Sequence, residues 1–168
     1  MLYKKICYFL YVRIISNHFN SFMPIRSFLA NGFLGKKSLN LYIRPGVIIM
    51  DFKNLKIGNN VSINDDCFLS CNGGLKIGDD VSIAHKVSIL TTEHTYNNPE
   101  IPIRNQPIIF SGVDIGSNVW IGANVTILAG IKIPDGTIIA AGSLVNKISE
   151  EENTIIGGIP ARKLKNRF

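Results

Sequence analysis

From residue 43 onward the apolar positions recur at a spacing that no helix produces. They lead at Ile43 and Ile49, at Ile57, Ile63 and Leu69, and at Ile77, Ile83 and Ile89. They resume at Ile115, Ile121, Ile127, Ile133, Ile139 and Val145, and twelve of these fourteen positions are Ile. Four residues beyond the leading position there is usually a small or β-branched side chain: Val47, Val61, Val81, Val87, Val119, Val125, Thr137 or Ser143. Three residues beyond it, ten of fourteen positions are Gly, Asn or Asp: Gly46, Asn60, Asp66, Asn72, Asp80, Asn118, Asn124, Gly130, Gly136 and Gly142. An amphipathic helix repeats at i, i+3, i+4 and i+7, so a strict period of six excludes it. Short β-strands joined by corners fit instead. Gly, Asn and Asp tolerate the left-handed backbone that a tight corner needs, and the Ile that starts each strand turns inward. Three hexads make a triangular coil of 18 residues, as from Ile115 to Ile133. Coils that stack this way place equivalent side chains in ladders. The pattern predicts an all-β solenoid over residues 41–156.

The breaks in the period are informative. Two extra residues between Ile49 and Ile57, and two between Leu69 and Ile77, read as bulges at corners. A longer break at about 95–114 carries Pro99, Pro102 and Pro107 and reads as an external loop, of the kind that carries function. Thr91, Thr92, Glu93 and His94 stand directly before it and mark the candidate site.

Residues 1–40 follow different rules. The run ICYFLYVRII at 6–15 is far short of the ~20 residues that span a bilayer, and no small-residue cleavage site follows it. It predicts a short helical segment whose apolar stripe packs on the solenoid. Nine of the fifteen aromatics lie within residues 1–42, interleaved with basic residues, so peripheral membrane contact through residues 1–35 is a separate expectation. The net charge of +6 has the same origin. Residues 1–50 hold seven basic residues and no acid, whereas the remainder holds eleven basic and twelve acidic residues, a net −1. No motif for nucleic acid accompanies the charge, and nucleic-acid binding is not expected. Three cysteines without a C-x-x-C pair point to a reducing cytoplasm, and Cys67 and Cys71 read as small buried side chains rather than nucleophiles.

The Ile-Gly-x-x-Val hexads, the run IGSNVWIGANVTILAGIKIPDGTIIAAGSLVNK and the closing IIGGIPARKL resemble the hexapeptide-repeat acyltransferases. The resemblance extends over roughly residues 40–168. It is strongest to the maltose, galactoside and nodulation-factor acetyltransferases and the polysaccharide O-acetyltransferases. It implies a left-handed parallel β-helix, a homotrimer, and acetyl transfer from acetyl-CoA in clefts between subunits. The acceptor it implies is a sugar, in surface polysaccharide synthesis on the cytoplasmic side or at the inner face of the membrane.

Residue by residue, the resemblance makes His94 the catalytic base. An imidazole with an ordinary pKa near 6.5 suits that task at neutral pH. Glu100 in the loop and Glu93 beside His94 are candidates for the carboxylate that orients it; Glu93 should project from the other side of the strand. Asn64 matches an acceptor-binding Asn of the family, and Asn72 stands where the family has an Asp. His85 departs from the family pattern and could line the cleft. Ala123 and Ala141 match backbone positions along the pantetheine arm, Trp120 flanks the cleft, and Lys147 and Arg162 match positions near CoA. A 157–168 basic tail suits a phosphorylated cofactor, with Lys163, Lys165 and Arg167 read as solvated charges. No metal is expected, since the His spacing differs from that of zinc enzymes on this solenoid. His18 has no evident partner. The alternative activities are N-acetylation of a nucleotide-linked amino sugar and, in another class, a non-catalytic binding solenoid.

Overall fold

A computed structural model describes residues 2–14, 23–34, 38–147 and 151–168; His18 lies outside them. The repeat folds as a parallel β-helix with three faces. The first face holds strands 42–43, 62–63, 82–83, 120–121 and 138–139, continued by 154–158 and 161–166. The second holds 48–50, 68–70, 88–89, 126–127 and 144–145, and the third 55–57, 75–77, 113–115 and 132–133. All pairs within the coils are parallel and in register, for example Ile63 with Ile83 and Ile121 with Ile139.

All fourteen leading positions are buried, none more than 6% exposed. Twelve of them close rather than open their strands, as Tyr42–Ile43 and Ser62–Ile63 show, while Ile49 and Leu69 sit mid-strand. The chain turns directly after the inward Ile, because the next residues must reach the corner. Nine of the ten predicted corner residues have positive φ. Asn72 does not, since the two extra residues move that role to Gly74 at φ +97°. The branched residues four positions on, from Val47 to Ser143, fill the interior between the ladders.

The N-terminal segment forms helices α1 (Leu2–Ile14) and α2 (Met23–Leu34), which pack on the first coil as the sequence predicts. The detail follows from an unmet need of parallel sheets. In later coils, inward-stacking carbonyls accept from the coil before: Arg44 N–H donates to Ile63 O and Ile48 N–H to Cys67 O, both at 2.9 Å. The first coil has no predecessor. Its corresponding carbonyls accept instead from side chains: Arg26 Nε donates to Ile43 O at 3.1 Å, Tyr11 Oη to Val47 O at 2.7 Å and Tyr8 Oη to Ile49 O at 2.9 Å. Polar groups buried here would otherwise stay unpaired, which costs about 1–3 kcal/mol each. Phe33 and Phe52 complete the cap, with Tyr8, Tyr11 and Phe52 rings 4.9–5.4 Å from the Phe33 centroid.

The opposite end closes differently. Thr154–Gly158 joins the first face beside 138–139, and Ala161–Asn166 folds back antiparallel to it. The segment expected as a basic tail is thus largely a strand, which covers the last parallel edge.

Candidate active site

The expected loop is an ordered arm. Thr92–His94 and Ile108–Phe110 pair antiparallel, and Val113–Ile115 has already rejoined the third face. The excursion therefore begins before residue 95 and ends before 114, and His94 lies on the outgoing strand of the arm rather than in the last coil position. A sequence period ends where the hydrophobic ladder ends, but backbone pairing continues beyond it.

Thr91, fully buried, fixes the base of the arm. Its hydroxyl donates to Ser70 O at 3.0 Å and accepts from Gly73 N–H at 2.9 Å, while Ser111 N–H donates to Thr91 O at 3.0 Å. Gln106 holds the tip. It is 6% exposed; its amide donates to Asn98 O at 2.9 Å and Ile101 O at 2.8 Å and accepts from Asn98 N–H at 3.3 Å. Gln106 has no signal in the sequence, where a Gln between Asn and Pro reads as a solvated loop residue.

His94 is exposed and pairs across the arm with Ile108, so the two share one side of the ribbon, while Glu93 and Ile109 share the other. Glu100 is exposed near the tip, its N–H held by Asn98 Oδ1 at 2.9 Å; among the described residues no hydrogen bond or ion pair joins its carboxylate to His94. Asn72 stands one coil below the arm, at the same edge between second and third faces. Its amide donates to Asp51, and its Oδ1 accepts from Ser70 Oγ at 3.2 Å. Lys147 follows strand 144–145 at that edge, exposed.

The other candidates fall elsewhere. Asn64, His85, Ala123 and Ala141 occupy the edge between the first and second faces. Asn64 donates to Ile83 O at 2.8 Å. Asn124 N–H donates to His85 O at 3.1 Å and Gly142 N–H to Ala123 O at 2.8 Å, so His85, Ala123 and Ala141 form one vertical column. Trp120 projects from the first face, 55% exposed, in register with Ser82 below and Ile138 above. Arg162 is exposed on the returning strand opposite Gly157. Of the cations read as solvated, Lys163 instead pairs with Glu151 at 2.6 Å, and Arg167 donates to Gly136 O at 3.0 Å. Cys67 and Cys71 are fully buried, and burial pushes their thiols up to about 11 and about 12, which leaves them protonated and unreactive at neutral pH.

One chain therefore divides the candidates between two edges, with the second face between them. A groove of 330 Å³ lies between α2 and Tyr42, and one of 510 Å³ passes Gly58, Gly78 and Gly116; neither touches His94. The outward side chains differ sharply between faces. The third carries Lys56, Lys76, Asp114 and Lys132, with Lys76 and Asp114 paired at 3.3 Å. The first carries Tyr42, Ser62, Ser82, Trp120 and Ile138, and the second Ile48, Met50, Phe68, Ser88, Thr126 and Leu144, none of them charged. Among the described residues no three His, Cys, Asp or Glu side chains converge as a metal set, and no helix is long and apolar enough to cross a membrane.

Stacked hexads, buried Ile ladders and an arm interrupting one coil define a hexapeptide-repeat solenoid. Residues 112–147 match the family described as "Bacterial transferase hexapeptide (six repeats)". Galactoside O-acetyltransferase of Escherichia coli K12 is 32% identical over 127 residues, 75% of this chain and 61% of that protein. The "Putative lipopolysaccharide biosynthesis O-acetyl transferase WbbJ" of the same strain is 37% identical over 116 residues, 64% of this chain and 58% of that one. The chain thus spans about three fifths of the length of these relatives. A solved galactoside acetyltransferase in complex with coenzyme A superposes with a TM-score of 0.85 at 28% identity, covering 98% of this chain and 81% of that one.

Proposed function

We propose that the protein is an acetyl-CoA-dependent O-acetyltransferase that acts on a sugar hydroxyl, with His94 as general base. The carrying observation is the placement of His94: an exposed imidazole on an arm whose base and tip are both pinned by buried hydrogen bonds. Relatives named as O-acetyltransferases and a similar structure holding coenzyme A support the class of reaction.

In the proposed step the acceptor hydroxyl oxygen attacks the thioester carbonyl carbon while His94 takes the hydroxyl proton. The tetrahedral intermediate collapses with loss of the C–S bond, and the imidazolium returns its proton to the departing thiolate of CoA. Glu100 on the same arm orients the imidazole, and Asn64, Asn72 and His85 hold the acceptor. The column of Ala123 and Ala141 offers backbone groups and small side chains to an extended pantetheine, Trp120 flanks it, and Lys147 and Arg162 face the phosphates.

The working unit of this reading is a homotrimer with its sites between subunits. The coil strands of the first and second faces present no charged side chain, which suits a closed ring of three in which each chain meets one neighbour through its first face and the other through its second. The enzyme works in the cytoplasm, on an acceptor bound for a surface polysaccharide.

The test is thiol release from acetyl-CoA over a panel of hydroxy and amino sugars, with wild type and His94→Ala. Loss of about 10²–10⁴ in kcat at unchanged oligomeric mass is expected. Unchanged turnover overturns the assignment, and a preference for amino sugars independent of His94 replaces it with N-acetylation. A solution mass other than three times the 18.6 kDa chain overturns the trimer.

A further inference from the structure

The cap explains only half of α1. Cys7 and Tyr11 face the first coil, 3% and 0% exposed, and Tyr8 reaches the Ile49 carbonyl from the same side. At 3.6 residues per turn, Leu2, Ile6 and Phe9 cluster within about 60° on the opposite side. They are 72%, 47% and 56% exposed, with Leu10 beside them at 45%. A second apolar stripe on a helix is ordinarily covered like the first. Because α1 lies across the carbonyl end of the first coil, its outer side points away from the solenoid along the axis, clear of all three faces.

The charge around this side selects what covers it. Lys5, exposed, borders the side about 40° from Phe9, Lys4 is exposed on the other half of α1, and no acidic residue occurs among the first 50. A second copy of the same surface would bring lysines together without a counter-charge. An anionic surface with an apolar interior satisfies both the lysines and the leucine, isoleucine and phenylalanine. Thirteen residues of helix extend only about 20 Å, so the helix lies in the interface rather than crossing it.

We infer that α1 is an in-plane anchor that docks the basal end of the solenoid on an anionic lipid bilayer. The inference stands on the cap geometry and does not depend on acetyl transfer. In a ring of three chains with parallel axes, all three α1 helices point the same way, which multiplies a weak single contact; that gain alone rests on the trimer.

The full chain is sedimented with vesicles of phosphatidylcholine alone and of phosphatidylcholine with phosphatidylglycerol. Pelleting is expected only with the second, and it should weaken as salt is added. Lys4→Gln with Lys5→Gln should weaken vesicle binding about 30-fold. Leu2→Ser with Phe9→Ser should weaken it at least about tenfold at unchanged thermal midpoint and unchanged turnover of soluble acceptor. A wild type that stays in the supernatant, or pellets equally with neutral vesicles, overturns the anchor whatever the variants do. So does a fall in oligomeric mass in Leu2→Ser/Phe9→Ser, which would assign the face to a second copy. Loss of turnover in His94→Ala leaves vesicle binding intact, so the two readings fail separately.

Discussion

The side-chain cap on the first coil makes a quantitative prediction. Tyr11→Phe removes one hydroxyl and nothing else from a fully buried ring. Its 2.7 Å bond to Val47 O is the replacement for a missing coil, so the carbonyl is left buried and unpaired. That loss costs about 1–3 kcal/mol. At ~2–4 °C per kcal/mol for a chain of this size, a central 2 kcal/mol lowers Tm by about 4–8 °C. Tyr8→Phe is the internal control. Its hydroxyl makes the same kind of bond, 2.9 Å to Ile49 O, but the ring is half-buried and water can replace the donor. It should cost roughly 1 kcal/mol or less. Thermal melting and urea unfolding measure both. Hydrogen exchange adds location, because a solenoid loses stability locally: amides of 42–50 should lose protection in Tyr11→Phe before those of 120–127. A Tm within about 1 °C of wild type for Tyr11→Phe, or a larger loss for Tyr8→Phe, would refute the role assigned to the cap.

Other consequences follow from single contacts. Thr91→Ala removes both hydrogen bonds of a buried hydroxyl and should cost about 1–3 kcal/mol in urea unfolding, with faster proteolysis of the arm at residues 95–107. Gly122→Ala would place a Cβ 2.6 Å from Ala141 N and 2.8 Å from Ile139 O, so the backbones of two coils must separate; a loss of about 1–3 kcal/mol in the urea midpoint is expected. Stability should also fall in alkali. Burial raises the Tyr11 hydroxyl above its ordinary value and the Cys67 and Cys71 thiols to about 11 and about 12, from 9.0. The unfolded chain then releases these protons first, so stability is complete below pH ~9 and is lost as pH rises through the native values. Urea midpoints across alkaline pH measure it, and a flat profile would contradict the burial of these groups.

The period of six decided the solenoid before any contact was visible, because it states one local rule many times. An inward Ile, a branched neighbour and a corner residue recur until only a stacked coil satisfies all of them, and every leading position is buried as that rule requires. The packing of the N-terminal segment was legible for the same reason, as an apolar stripe needing cover. Its chemistry was not: nothing in the spacing of Tyr8, Tyr11 and Arg26 announces three donors aimed at the open carbonyls of Ile49, Val47 and Ile43. Those partners lie 17 to 41 residues away and exist only once the first coil is formed.

The site shows the same division. His94 could be picked out from its place beside a break in the repeat, but the sequence set it on the last coil, whereas backbone pairing with Ile108 carries it onto the arm. Gln106 stayed invisible because its role depends on a tip conformation that Asn98 and Ile101 create with it. Asn72 and the arm that carries His94 share one edge, while Asn64, His85, Ala123 and Ala141 share another, a separation that follows from which corner each position occupies in the coil. Local sequence determined what each hexad buries, because burial depends on the residue and its neighbours along the chain. Tertiary structure alone decided which hexads stand above one another and which groups their edges bring together, because the insertions put paired residues of neighbouring coils 20 or 38 positions apart, a register no residue's own preference sets.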